Sequence, residues 1–591
     1  MTEPLRTERT SAREADDLTA PDSAPEAQLL ASRPPMVAFV LEFWRTPTAL
    51  VAGLLMALSV VSTVGVTYLA LWSNELLGEV TDSLIARNWQ LLLTALLTSI
   101  AVGVSSSAII NSNVVLLRLA DMRWRTWLSE RLVARWTASN VFYEIEREGR
   151  LQNADQRIAE DVRMFTEDSV NLLSNMVSVL SQVGSFTYLL WGLSQSLRFD
   201  LWGWHYEIAG YMVYIAFAYA LGGLLVTHLF GRKLIALNMQ KQGVEADYRY
   251  LGMKLRENAE QIAFYGGGDR ERARLSERFA LVRQNFFGVT FRTWKVQVIN
   301  ETYNQVLSPL PTVAALPLYY AGLVTLGGMT RAVQAFTSLV SALSFFQQAY
   351  IGFTRWLALT NRLRDLSAAL GIAEGRTRGI VVTRSQVPEI VFSRIALRKP
   401  DTTLMCTVPP LRLAADERWF ISGRSGSGKS TLLRALAGMW PYGEGTVVIP
   451  NGARLMFLPQ RSYVPDGSLK AGVCYPGEAA NFSDAACVEA LKQCGLESLA
   501  DGLHAVDNWQ RKLSGGELQR LAMARVILHK PDFVFLDEAT SALDPDGERL
   551  VYGALLAALP HACVVSVAHR ESLHALHSRF LDLGGLDPMV V

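Results

Sequence analysis

Cysteine is scarce: five of 591 residues, all between positions 406 and 563. Cys406, Cys474, Cys487, Cys494 and Cys563 lack metal-ligand spacing. That pattern favours reduced thiols in a cytosolic domain over zinc sites or a disulfide framework. Charge of one sign is lacking too. Lys+Arg number 56 against 55 Asp+Glu, and no tract is densely basic, so nothing points to a nucleic-acid partner. Residues 1–36 contain no short apolar core of the signal-peptide kind, so no cleavage or export of the N-terminus is expected. They are polar and rich in Pro, Ala and Glu, and read as a disordered tail. Outside that tail there is no internal repeat or low-complexity tract.

What the chain has is apolar sequence, unevenly placed. Half of its residues are hydrophobic. Between Thr48 and Leu357 six apolar segments reach spanning length, roughly 20 residues each. They centre on 48–72, 90–117, 169–193, 206–230, 304–327 and 333–357. Segments 119–167 and 231–303 carry 8 and 13 Lys+Arg, whereas 73–89, 194–205 and 328–332 carry one each. The positive-inside rule therefore places both termini and both long loops in the cytoplasm. The long loops keep a helical apolar spacing: Leu251, Leu255, Ala259 and Ile262 in one, Tyr143, Ile145, Leu151, Ile158, Val162 and Phe165 around Gly149 in the other. This predicts membrane helices that project well into the cytoplasm.

Near residue 386 the pattern changes. Short β-rich runs (Glu389–Phe392, Trp419–Ser422, Arg454–Phe457, Phe533–Leu536, Val564–Ala568) alternate with helical stretches and Gly-rich turns. That is an α/β sheet flanked by helices. The predicted division is a tail (1–36), a six-helix membrane domain (37–360), a charged connector (361–385) and an α/β domain (386–591).

The run Gly423, Arg424, Ser425, Gly426, Ser427, Gly428, Lys429, Ser430, Thr431 follows a strand and precedes a helix, the context a P-loop requires. Its backbone N–H groups would wrap phosphate oxygens at a helix N-terminus. Lys429 would reach the outer phosphates and Ser430 would offer its hydroxyl to Mg²⁺. In "FVFLDEATSALD", Asp537 ends an apolar strand and is placed to hold Mg²⁺, and Glu538 to polarise an attacking water. Between them, Ser514, Gly515, Gly516 and Glu517 open a helix and form a second anion-binding N-terminus. One ATP needs only one P-loop, so this second loop is expected to cap the γ-phosphate held by another copy.

In that order the landmarks resemble an ABC ATPase. The resemblance assigns Gln460 in "FLPQRSYV" to the Q-loop, which senses Mg²⁺, Ser514 to Glu517 to the signature, Asp544 to the D-loop and His569 to the switch histidine. One departure stands out. Where many such domains place an adenine-stacking aromatic before a proline, this chain has Lys399 in "ALRKPDTT". Arg398, Lys399 or another side chain could lie over the base.

Six spans followed by one such ATPase are the layout of a half-transporter with an exporter-type fold, working as a homodimer in the lipid bilayer. Tips of the projecting helices are expected near 145–156 and 236–248. "EADYRYLGMKLRENAEQIAFYGGGDRE", "NADQRIAEDVRMF" and "GMWPYGEG" resemble a narrower branch, the SbmA/BacA-like peptide and cobalamin transporters and the peroxisomal fatty-acyl half-transporters. Within that match the Arg256, Glu257 and Glu260 cluster reads as a mechanical linker rather than a solvated helix face.

The resemblance implies ATP and Mg²⁺ as ligands and a bacterial inner-membrane, multi-pass location. Its first functional reading is ATP-driven import of peptides or a cobalamin-like compound. A second is export or flipping of lipidic substrates, and a third, the weakest, is a membrane-anchored non-transport ATPase. Asn74, Glu75, Glu79, Asn111, Asn113, Asn175, Gln182 and Glu207 are candidates for a polar cavity or gate.

Overall fold

A computed structural model describes residues 24–149, 151, 153–194, 196–201, 204–568 and 570–583. The chain divides into two compact units. One comprises residues 1–138 and 148–371; the other comprises 139–147 and 372–591.

The first unit is helical apart from one hairpin. Its main helical segments, numbered below as the first to sixth passes in chain order, are Ala49–Ile85, Trp89–Thr137, Val162–Ser194, Tyr211–Glu257, Gly268–Leu307 continued by Leu310–Tyr320, and Leu326–Glu374. Four helical runs, Ala49–Ile85, Trp89–Glu148, Ala154–Ser194 and Tyr211–Glu257, are long and apolar enough to cross a membrane by length and composition. The last of these four, 47 residues long, extends about 70 Å at ~1.5 Å per residue, against a hydrocarbon core of about 30 Å. Helices of this length must continue beyond the bilayer, as the loop sequences predict.

Several boundaries differ from the sequence reading. The fourth pass starts at Tyr211, not 206, because Ser196–Leu201 and Trp204–Ala209 pair as an antiparallel hairpin that contains His205 and Glu207. The fifth is divided at Ser308–Pro309, where proline supplies no N–H for the helix. The sixth begins at Leu326 rather than 333, which puts Arg331 on a helix instead of in a loop. No tip lies at 236–248: the fourth pass is unbroken to Glu257. Good helix formers run through that stretch, and the turn waits for Asn258 and for Gly266, which has φ 63°. The first tip does fall where expected, at the short helix Val141–Glu148 and Gly149. Of the N-terminal 36 residues, 1–23 lie outside the described residues, whereas Ala24–Ala31 is helical. Arg33 pairs with Asp365, and Arg364 Nε donates to the Pro34 carbonyl.

Interhelical polar contacts fix the passes. Tyr303 OH donates to Tyr219 O at 2.7 Å and Thr227 Oγ1 to Asn300 Oδ1 at 3.0 Å, joining the fourth and fifth. Arg355 holds Asp168 in a bidentate pair through Nε and Nη2, and Trp356 Nε1 donates to Ser169 Oγ at 2.7 Å, joining the third and sixth.

The second unit has two main sheets. Leu455–Leu458, Phe533–Asp537, Cys563–Val567, Arg418–Ser422 and Arg579–Asp582 lie in that order, all parallel. The other sheet is largely antiparallel and is centred on Gly443–Pro450, with Ile380–Ser385 added in parallel. Phe392, Leu397, Leu433, Leu436, Phe535 and Val565 share one core. The helix Lys429–Leu436 is thus clamped by apolar packing.

Candidate active site

A parallel sheet carries its functional loops beyond the carboxyl ends of its strands. Here the loop after Ser422, the Asp537–Glu538 step, the Gln460 loop and the residues after Val567 all follow adjacent strands. His569 itself lies outside the described residues.

The loop 423–428 is built by backbone conformation. Gly428 has φ 98° and caps the helix Lys429–Leu436. A Cβ there would sit 3.1 Å from Cys406 Sγ as well as in a left-handed conformation, so glycine is required twice over. Lys429 is buried, and its ammonium donates to the carbonyls of Gly423 (2.7 Å) and Arg424 (3.0 Å). Burial pushes its pKa down, while Glu538, Asp537 and Asp582 oppose that. Ser427 Oγ is buried without a hydrogen-bond partner among the described residues. An unmatched hydroxyl in a glycine loop fits a phosphate oxygen.

Ser430 Oγ donates to Asp537 Oδ1 at 2.8 Å, and Gln460 Nε2 donates to Glu538 Oε2 at 2.8 Å. The structure therefore gathers Lys429, Ser430, Asp537, Glu538 and Gln460. Hard oxygen donors in this number suit Mg²⁺, which keeps waters and phosphate oxygens as its remaining ligands. Among the described residues no cluster of three or more His, Cys, Asp or Glu forms a protein cage for a metal. Glu538 has φ 49°, in the left-handed region where non-glycine residues are strained, and its N–H bonds Val567 O at 2.9 Å.

Ser514 caps the helix Gly515–His529 in a capping box with Glu517. Asp544 is a cap as well, accepting from Gly547 N at 3.1 Å at the start of Pro545–Ala558. Two residues not singled out in the sequence connect these parts. Gln519 donates to Ser541 Oγ (3.2 Å) and accepts from Ala542 N (2.8 Å), tying the Ser514 helix to the turn before Asp544. Arg570 donates to Leu543 O (2.7 Å) and Ser541 O (3.0 Å), holding that turn in place. Their positions, five residues into the signature helix and next to His569, were the only sequence signal. Lys399 lies in a tight turn, with its N–H on Thr403 O at 2.8 Å, and Arg398 Nη1 donates to Thr402 O.

The segment 139–147 belongs to this unit. Arg147 Nη1 donates to Met439 O at 2.9 Å, and its guanidinium lies 5.6 and 5.2 Å from the Trp440 and Tyr442 ring centres. Glu144 receives both Arg147 (3.1 Å) and Arg376 (3.3 Å). "GMWPYGEG" thus supplies an aromatic seat for the first loop's short helix.

The polar candidates of the membrane unit divide. Asn74 Nδ2 donates to Arg331 O at 3.3 Å, and Glu75 lies 3.9 Å from Arg331 Nη2. Asn74 Oδ1 and Arg331 Nε stay buried and unbonded among the described residues. Glu79, Asn111 and Asn175 are exposed, Gln182 bonds Ser178, Asn113 bonds Thr63 at 3.4 Å, and the Glu207 side chain lies outside the described residues. Arg331, counted in the sequence only as a loop charge, is the partner that the reading missed. Arg256, Glu257 and Glu260 lie on exposed helix faces.

A P-loop sheet, a capped signature helix and a bundle of long helices in one chain define an ATP-hydrolysing membrane transporter. Family models support both halves: "ABC transporter transmembrane region 2" matches residues 46–319 and "ABC transporter" matches 409–541. A Haemophilus influenzae "uncharacterized ABC transporter ATP-binding protein" is 33% identical over 78% of this chain and 77% of its own. The Escherichia coli "inner membrane ABC transporter ATP-binding protein YddA" is 29% identical over 92% and 96%. The mouse "lysosomal cobalamin transporter ABCD4" is 28% identical over 79% and 81%. Among solved structures, a bacterial Atm1-family ABC exporter with ATP bound superposes with TM-score 0.68 at 18% identity, over 91% of this chain and 94% of that one.

The chain belongs to the ABC transporter family. It is a half-transporter with an exporter-type helical membrane domain and an α/β ATPase, and it binds ATP and hydrolyses it in step with transport.

Proposed function

We propose that two copies of this chain form an inner-membrane importer of hydrophilic cargo, peptides or a cobalamin-like compound, with two ATP sites shared between the copies. The observation that carries the paired reading is the Ser514 helix turn, a second phosphate-type N-terminus anchored through Gln519 to the Ser541–Ala542 turn and not to the 423–428 loop. In each site Lys429 and the glycine loop hold the phosphates of one copy while Ser514 to Glu517 of the other close over them. Ser430, Asp537 and Gln460 hold Mg²⁺, Glu538 orients the attacking water and His569 contacts the γ-phosphate.

Hydrophilic cargo is supported by Asn74, Glu75 and Arg331, a polar group with an unmatched acceptor and donor, and by the name of the mouse relative. The location follows the name of the E. coli relative. Labelled cobalamin and a short cationic peptide are offered to right-side-out and inside-out vesicles, with ATP on the cytoplasmic face. Accumulation in right-side-out vesicles is expected. Accumulation in inside-out vesicles alone would mean export, the direction suited to a lipidic substrate.

A further inference from the structure

Inside the membrane unit a cavity of about 600 Å³ lies between the N-terminal turn at Val40–Trp44 and the first, second, third and sixth passes. Its floor is aromatic. Trp124 meets Trp44 edge-on at 5.4 Å, and through Phe165 the cluster reaches Trp356. Ser169 is the only lining side chain with a hydroxyl, and it already accepts from Trp356 Nε1. Ser169 Oγ also donates to Phe165 O, so the remaining polar groups of the wall are the indole N–H groups of Trp44 and Trp124. An apolar space of this size excludes water and takes apolar guests.

Two features say what kind of guest. The cavity lies beside the N-terminal part of the third pass and the C-terminal half of the sixth, and ion pairs gather there: Arg355 with Asp168, Arg118 with Glu167 at 2.7 Å, and Arg131 with Glu42. Tryptophans beside such charges mark the boundary between headgroups and hydrocarbon. Leu173, Met176 and Leu180 line the cavity and are also 48%, 58% and 63% exposed, so they form its mouth. Their spacing of three and four residues makes one apolar stripe along the third pass. A chain entering the cavity can thus continue along hydrocarbon while its polar end stays level with the arginines.

We propose that this cavity is a binding site for one acyl chain of a bilayer phospholipid, a resident lipid that is not the transported cargo. The site is independent of transport direction and substrate. Its occupant also packs the N-terminal turn against the third and sixth passes.

The test is native mass spectrometry of the detergent-purified full chain, counting phospholipid retained per protomer. Met176→Trp and Leu173→Trp each fill the mouth from an exposed position. Leu54→Trp, on a 71% exposed position of the first pass outside the cavity, is the control. About one lipid per protomer is expected in wild type and control, falling at least tenfold in both mouth variants. Equal retention in all four proteins would overturn the proposal. So would loss of the dimer in the mouth variants with lipid retention unchanged, because the groove would then be a seat for the second copy.

Discussion

At the scale of single residues, Glu538 carries the sharpest expectation. It receives Gln460 at 2.8 Å beside Asp537 and Ser430. Glu538→Gln keeps shape and hydrogen bonding and removes the proposed base, so ATPase turnover should fall about 10²- to 10⁴-fold, with ATP binding by equilibrium titration unchanged. Undiminished turnover would show that Glu538 is not the base. His577 gives a pH prediction. It is buried, with Nδ1 2.7 Å from Leu573 O and Nε2 2.9 Å from Ser566 Oγ, an arrangement that suits the neutral ring. Burial holds its pKa below the ordinary value. Below pH ~6.5 the unfolded chain binds the proton more readily, so the stability present at neutral pH is lost as pH falls through the folded pKa. Thermal melts from pH 7.5 to 5 should show a steeper loss in wild type than in His577→Gln. The cysteines behave as their scarcity implied. All five are free and buried, and burial pushes the Cys474, Cys494 and Cys563 thiols up to about 12.

At the scale of elements, the short helix Val141–Glu148 shows where sequence patterns stop. Gly149 and the amphipathic spacing announced a tip, but nothing in "YEIEREG" says that Arg147 will lie over Trp440 and Tyr442, some 290 residues later. Removing the Trp440 ring should cost roughly 0.5–2 kcal/mol of that contact. Trp440→Ala and Arg147→Ala are therefore expected to lower transport and cargo-stimulated ATPase together. ATP binding, measured separately, should hold. Transport at the wild-type level in both variants would mean that this seat carries no coupling. The strands reveal the same asymmetry. The five runs read as strands are all present, give or take a residue; four of them lie in the parallel sheet, whose buried strands are continuous apolar runs, and Ile390–Phe392 is antiparallel. Ile395–Arg398, Leu404–Val408, Leu411–Leu413 and Gly443–Pro450, all in the largely antiparallel sheet, went unread. The tip placed at 236–248 moved to 258–267 because helical periodicity continues until a breaker stops it.

At the scale of the whole molecule, the second tip carries an exposed apolar end that one chain leaves bare. Phe264 and Tyr265 are 83% and 89% exposed. The proposed dimer predicts that this end is covered by the other copy. The double variant Phe264→Ala, Tyr265→Ala should therefore reduce transport several-fold with little change in melting temperature, because neither ring is buried in its own chain. A drop of several degrees with transport intact would argue against it.

The sequence alone determined the ATPase half, since phosphate binding needs particular residues at fixed spacing in one short loop. It also determined the helical membrane half, because a bilayer demands long apolar runs. It legibly placed Lys429, Ser430, Asp537 and Glu538, each beside its own landmark. Only the tertiary structure decided that Gln519 and Arg570 brace the Ser541–Leu543 turn, that Asn74 and Glu75 meet Arg331, and that three tryptophans floor an apolar cavity. Those contacts join residues far apart in the chain or on different helices, and helix rotation and crossing, which periodicity leaves free, set which side chains face each other.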